Sequence, residues 1–465
     1  MNDGQNDDKK NEDEENSENE PVVEPQGAAI DAPSPTGPLT ETEAVTGRGP
    51  SSTIEFQPPP PRLLAGLTSL RHRDFRIYWL SQLVSLTGTW MQIVAQSWLV
   101  LTLSDSPFIL GVVSALQFLP TLTLSMAGGV IADRLPRRQL LLATQSSAMI
   151  LAFTLAVLTQ LSLVNIGIVM ILALLVGTVN AVDMPTRQAF VVELVSGEDL
   201  HNAIALNSAA FNSARLVGPA VAGLAIGYLG LAGAFYANGF SFLAVIGGLL
   251  FITAGRQAIP RQGQAGSFWQ DMREGLRYVA GNTRVRMVIL LVGIVSGFAL
   301  NLNVLIPILA KDPLNVGAQG LGFLTSAAGV GSLVAAVWLA FMGRRVQSRL
   351  LMFAAFGLGL AEVLIGFLPN FAADMVLLAV VGFTMIVFTT LANTVVQIAT
   401  PDALRGRVMS VYTTVFVGIT PLGSLFAGSL AEVSGVGAPF AVGGLASMVS
   451  AVLVYWFMTT RQEAP

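Results

Sequence analysis

Five polar side chains, Gln82, Ser85, Thr89, Gln92 and Gln96, recur at steps of 3, 4, 3 and 4 inside an otherwise apolar run, so they share one face of a helix. A face of amides and hydroxyls cannot be turned to hydrocarbon without leaving hydrogen-bonding groups unsatisfied, so it must meet protein or water. Ser296 and Asn303, and farther on Thr390, Asn393 and Gln397, put similar groups into other apolar runs. The sharpest residue is Arg215, near the middle of a further run, where a cation costs at least about 2.5 kcal/mol even on a lenient insertion scale. It has three readings: a structural ion pair, an anion site, or a part in proton-coupled handling of a substrate. Asn212, three residues earlier, could help satisfy its guanidinium. Asp183 and Arg187 are four apart and form a helical gate pair if the turn persists through Pro185. Glu362 is a further acid at depth, expected to snorkel toward the outer interface.

These residues are embedded in a chain built for lipid. Of 465 residues, 53% are hydrophobic and only 12% charged, which leaves too little polar surface for a water-facing domain of this size. The chain has no cysteine and two histidines, His72 and His201, which excludes disulfides, thiolate metal sites and a cysteine nucleophile. No metal, cofactor or nucleic acid is expected. Residues 1–61 carry 14 acids against Lys9, Lys10 and Arg48, a net −11, while the remaining 22 bases and 15 acids give +7. That acidic, apolar-poor segment, ending in Pro58 to Pro61, reads as a disordered solvating tail and lacks the pattern of a cleavable signal.

From Phe75 onward, apolar stretches of about 20 residues are separated by short polar breaks, each stretch long enough to cross the bilayer as a helix. Twelve are expected: 75–102, 107–131, 138–160, 165–188, 203–229, 232–254, 286–309, 319–342, 349–368, 371–398, 407–431 and 438–459. Arginines from Arg71 to Arg461, including Arg134, Arg137, Arg138, Arg187, Arg284 and Arg405, fall on one side of these spans, and Lys311 alone falls on the other. By the positive-inside rule both termini are cytoplasmic. The connection 255–285 holds Phe268, Met272, Leu276 and Val279 at helical spacing and reads as an amphipathic helix lying on the membrane surface, linking two halves or making a regulatory contact.

An offset of 211 aligns Ser85 with Ser296, Gln92 with Asn303, and Leu110-Gly111 with Leu321-Gly322, and Gly218-Pro219 corresponds to Thr420-Pro421. Such a repeat marks two related bundles around a central site. The expected fold is therefore an all-α membrane protein of twelve transmembrane helices in two pseudo-symmetric six-helix bundles. Its parts are the tail (1–61), a first bundle (62–254), the linker (255–285), a second bundle (286–459) and a cytoplasmic C-terminus (460–465).

The connection after the second span reads Gly129-Val130-Ile131-Ala132-Asp133-Arg134-Leu135-Pro136-Arg137-Arg138, which resembles the loop signature of the major facilitator superfamily, with Ile131 and Pro136 departing from it. The runs Asp74-Phe75-Arg76, Gly88-Thr89-Trp90-Met91, Asp183 to Gln188 and Arg405 to Val408 are similar to the branch containing enterobactin exporters and macrolide-efflux proteins. Gly218, Pro219 and Gly223 resemble the helix-packing signature of drug antiporters, although Ala205, Ala214 and Ala222 stand where glycines would be expected. The resemblance implies that Gln82, Ser85, Thr89, Gln92, Gln96, Arg215, Asn303, Asn393 and Gln397 line a central cavity. It also implies a conformational gate of Gly129, Asp133, Arg134, Arg137, Arg138, Asp183 and Arg187. Within that gate Asp133 would meet the start of span 11, Gly406 to Ser410, and Arg134 or Arg137 would reach Asp183.

The function so implied is secondary active transport in the bacterial inner membrane. It would be the proton-driven export of a small siderophore-like or drug-like molecule by alternating access, performed by a monomer. An importer of the same fold and a non-transporting sensor or scaffold are the rival readings. ATP-driven transport is disfavoured because no Gly-rich loop followed by Lys-Ser or Lys-Thr is present, and an intramembrane enzyme because no histidine, cysteine or paired-carboxylate site is.

Overall fold

The structure, a computed structural model, describes residues 65–254, 268–342 and 348–460. The expectations for the tail, for residues 255–267, for Arg344 and Arg345 and for the last residues lie outside it. Ten helical segments are long and apolar enough to cross a membrane. One of them, Leu200–Phe251, is two spans joined at Gly230, whose φ of 72° and ψ of 178° only glycine adopts without strain. The helix Arg73–Ser104, whose polar face lowers its hydropathy, completes a set of twelve.

The spans observed are Arg73–Ser104, Pro107–Arg134, Arg137–Gln160, Ile166–Glu193, the two parts of Leu200–Phe251 on either side of Gly230, Thr283–Phe298 with Leu302–Lys311, Gly317–Met342, Ser348–Phe367, Phe371–Ile398, Asp402–Gly418 with Thr420–Ser434, and Gly437–Thr460. They are numbered 1 to 12 in that order. Spans 7 and 11 are each broken once, span 7 around Asn301, whose side chain donates to Gly297 O at 2.9 Å, and span 11 before Pro421. Starts are fixed locally: Ser106, Asn165, Asn282 and Asn370 each accept from the backbone N–H three residues on, satisfying a donor that lipid could not.

Since lipid tails are as apolar as leucine, helices here are held by close backbone approach rather than by exclusion of water. The repeat seen in the sequence is realised as two matching crossings. A Cβ added at Gly111 of span 2 would lie 3.2 Å from the Cα of Gly428 in span 11, and one added at Gly322 of span 8 would lie 3.0 Å from the Cα of Gly223 in span 5. Gly218 packs against Trp90 of span 1, so the Gly218-Pro219-Gly223 segment is wedged between spans 1 and 8. Within each half the pattern also repeats, with Gly177 seated on the Gln117 carbonyl and Gly382 on the Ala328 carbonyl.

The linker helix forms over Phe268–Gly281, inside the segment where the spacing placed it. It docks on the base of span 11 through Gly275, which sits against the Arg407 carbonyl, and through an Arg407–Glu274 ion pair of 2.5 Å, and on the end of span 10 through Tyr278, which donates to Ala399 O at 3.0 Å. Val279 is buried there, but Leu276 is 52% exposed. The contact face is thus turned away from the simple apolar stripe, because the absent side chain at Gly275 allows the nearest approach.

Gly382→Leu should destabilise the fold by at least about 1–3 kcal/mol, since its Cβ would fall 1.9 Å from the Ala328 carbonyl oxygen. Gly247→Leu, with nothing within 4 Å, is the matched control. Yield of monodisperse protein and thermal unfolding in detergent would show the difference; equal behaviour would refute the close-packing account.

Candidate substrate cavity and gates

Ties between the first six and last six spans run from the end of the molecule that carries Lys311 to mid-depth. Lys311 pairs with Asp105 and donates to Leu101 O at 2.5 Å. Glu432 accepts from Ser106 Oγ at 2.8 Å and from Phe108 N at 3.2 Å. Ser326 donates to Leu216 O at 3.2 Å, and Ser424 to Ser114 Oγ at 3.4 Å. Sequence reasoning missed these contacts, because the partners are some 110 to 326 positions apart along the chain. Toward the arginine-rich end, a Cβ at Gly129 or at Gly406 would meet nothing within 4 Å. Asp133 is 57% exposed and has Arg137, 3.7 Å away, as its partner. Asp133 and the start of span 11 are therefore not brought together in this state.

Between the two ends lie the polar residues. Gln96, Asn303 and two residues not anticipated, Ser114 and Gln117, converge in a small pocket formed by spans 1, 2 and 7. Asn393 accepts from Gln397 Nε2 at 2.6 Å, and Gln397 is exposed. The rest of the span 1 face is used differently. Gln82 and Ser85 are buried, each keeping an oxygen without a partner, and Gln82 donates to Tyr78 at 3.3 Å. Thr89 donates to its own helix at Ser85 O, and Gln92 accepts from Asn238 of span 6. One helical face thus serves both bundle interior and pocket, since it is wider than any one neighbour.

Arg215 is half-buried at mid-depth, with its guanidinium carbon 5.6 Å from the Trp90 ring centre and Nη2 3.7 Å from the Met385 sulfur of span 10. Trp90 in turn meets Phe211 edge-on at 5.6 Å. Asn212 donates instead to Ser208 O at 2.8 Å. Among the described residues no carboxylate lies within 4.0 Å of Arg215, so its observed partners are a π face and a thioether, neither of which neutralises it.

Span 4 stays helical through Pro185, and the Asp183–Arg187 pair forms as its spacing implies. Asp183 is buried and also accepts from Thr144 Oγ1 at 2.6 Å and Gln145 Nε2 at 2.8 Å, tying span 4 to span 3. The arginines of the loop signature go elsewhere. Arg137 pairs with Glu193 at 2.5 Å, both side chains more than nine-tenths buried, and donates to Ala189 O at 3.2 Å. Arg138 donates to Leu249 O and Leu250 O at 2.6 and 3.1 Å, capping the end of span 6. Arg134 is exposed. Arg137 therefore does not reach Asp183; Glu193, one turn past Ala189, captures it first.

Glu362 is not snorkelling. It is fully buried in span 9 with both carboxyl oxygens unpartnered, as is Asp374 at the start of span 10. Close approaches of Gly359 to Gly444 and of Gly366 to Gly437 clamp span 9 against span 12, enclosing the acid before it could turn outward.

Glu193→Ala should cost about 3–5 kcal/mol because it strands the buried Arg137 cation, whereas Asp133→Asn should leave stability nearly unchanged. Thermal unfolding of both variants would decide, and equal losses would contradict the assignment. The Lys311–Asp105 tie carries a pH signature. The hydrogen bond and charge of Lys311 hold the Asp105 carboxyl below its ordinary value. A depressed carboxylate keeps its contact above that ordinary value, about 4, and loses it as pH falls through the lowered one. Closure at this end should then be insensitive to pH near neutrality; a loss of protection of a cysteine placed at Leu101 between pH 8 and 6 would exclude this tie as its cause.

Residues 64–464 match the family model described as transmembrane secretion effector. The multidrug efflux pump Tap of Mycolicibacterium fortuitum is 28% identical over 404 residues, covering 85% of this chain and 98% of its own. The enterobactin exporter EntS of Escherichia coli O1:K1 is 25% identical over 385 residues, covering 82% and 91%. Among solved structures, the POT family transporter PepTSo superposes with a TM-score of 0.68 at 12% identity, covering 85% of this chain and 99% of its own, which speaks to fold alone. With twelve spans, two matching glycine crossings and a family match over nearly all the described residues, the chain belongs to the transmembrane secretion effectors, a family of major facilitator transporters.

Proposed function

We propose that this chain exports a small organic molecule across the bacterial inner membrane by alternating access, drawing on the proton gradient. The observation that carries the reading is the asymmetry of the inter-half ties, which run from the Lys311 end to mid-depth and leave Gly129, Asp133 and Gly406 apart at the other end. By the positive-inside rule the arginine-rich end is cytoplasmic, as are both termini, so this geometry corresponds to a state loaded from the cytoplasm. The bundles 62–254 and 286–459 would rock about the two glycine crossings, with the linker 255–285 riding on span 11. The names of the relatives, a multidrug pump and a siderophore exporter, support export over import and transport over a scaffold role. Protons are the coupling ion in this reading, and the protein works as a monomer.

In the opposite state Asp133 would reach the first turn of span 11, Asp402 to Arg405, where unpaired N–H groups and the helix dipole favour a carboxylate by about 0.3 to 2 kcal/mol. Arg137, buried and paired with Glu193, would stay with the first bundle.

In proteoliposomes with an imposed pH gradient, a drug or siderophore panel should contain a compound moved against its own gradient, with movement abolished by a protonophore. Uphill movement that ignores the protonophore would remove proton coupling, and a complete lack of flux would favour the scaffold. Asp133→Asn should insert normally and transport several-fold more slowly.

A further inference from the structure

Apart from charges near the span ends, Arg215 and the Asp183–Arg187 pair are the charged side chains in spans 1, 2, 4, 5, 7, 8, 10 and 11. Asp183 is saturated by Arg187, Thr144 and Gln145 and contributes no free negative charge. Glu362 at depth and Asp374 in the first turn of span 10 have no exposed surface and cannot meet a ligand. What the surroundings of Arg215 offer is therefore one uncompensated guanidinium, flanked by the Trp90 ring, the Met385 thioether and the partly exposed Phe211 ring.

We infer that the transported molecule is an organic anion with an apolar or aromatic body, whose acidic group binds Arg215 while its body lies against Trp90, Phe211 and Met385. This deepens the transport reading above and rests on it. A carboxylate, phenolate or sulfonate would supply the counter-charge that Arg215 lacks, and the planar fork can hold two of its oxygens at once. A cationic amphiphile entering the same space would meet unscreened repulsion in a region of low dielectric, with no carboxylate within reach to offset it. A neutral molecule would gain the aromatic contact but leave the guanidinium unpaired.

The test uses the full chain in lipid nanodiscs and three probes on one skeleton: 2-naphthoate, 2-naphthamide and 2-naphthylmethylammonium, with charges −1, 0 and +1. Equilibrium dialysis should rank them in that order, the anion binding at least about tenfold more tightly than the cation. Arg215→Gln should weaken naphthoate by about 10- to 100-fold while changing naphthamide little, and Arg215→Lys should recover part of the loss. Equal or tighter binding of the cation, naphthoate binding untouched by Arg215→Gln, or no naphthoate binding up to about 10 mM would each overturn the inference. Counterflow in proteoliposomes separates the two layers: Arg215-dependent binding of naphthoate without any movement would sink the transport reading and leave the anion site standing.

Discussion

In a solvent as apolar as the side chains themselves, what joins one helix to another is the distance at which their backbones can meet. The two crossings of Gly111 with Gly428 and of Gly322 with Gly223 set that distance for the whole molecule, because they are the points at which the first six spans touch the last six through backbone alone. They stand at corresponding places of the internal repeat. Everything else at the Lys311 end, including the Glu432 contacts and the Lys311–Asp105 pair, is built around these two approaches.

Charge at depth follows the same economy. A buried ion that keeps its partner within its own bundle moves with that bundle, and Asp183–Arg187 and Arg137–Glu193 are both of this kind. Among the basic side chains at depth Arg215 is the exception: its contacts reach Trp90 in its own half and Met385 in the other, and neither carries charge. A cation left in that condition is expensive, and natural proteins keep such groups where function uses them.

Element boundaries were readable because length and hydropathy are dictated by the bilayer, and most spans match the structure to within a few residues. The break of span 7 at Asn301 and the docking face of the linker helix were not, since each depends on a neighbour: Gly423 beside Asn301, and the Arg407 carbonyl under Gly275. The polar face of span 1 was legible as a face, but not which bundle or cavity each residue meets; Gln92 turning to Asn238 is a tertiary fact. The Asp183–Arg187 pair was legible because both members lie on one helix. Glu193 was missed because Arg137 has three acids within plausible reach, and choosing among them needs the distance between spans 3 and 4.

A transporter that rocks two rigid halves needs interactions within each half that outlast those between them. The first half is held internally by hydrogen-bonded ions removed from solvent, where losing one partner leaves a stranded charge. The ties across the halves are of another kind: an ion pair whose Asp105 side chain is 84% exposed, a carboxylate on a hydroxyl and a backbone N–H, and glycine contacts that give up only dispersion when they part. Exposed polar ties exchange readily with water, so separating them leaves nothing unsatisfied. The Lys311 end is thus made of contacts that can open without unfolding, and bond strength falls from bundle interior to interface as the proposed rocking of the halves requires.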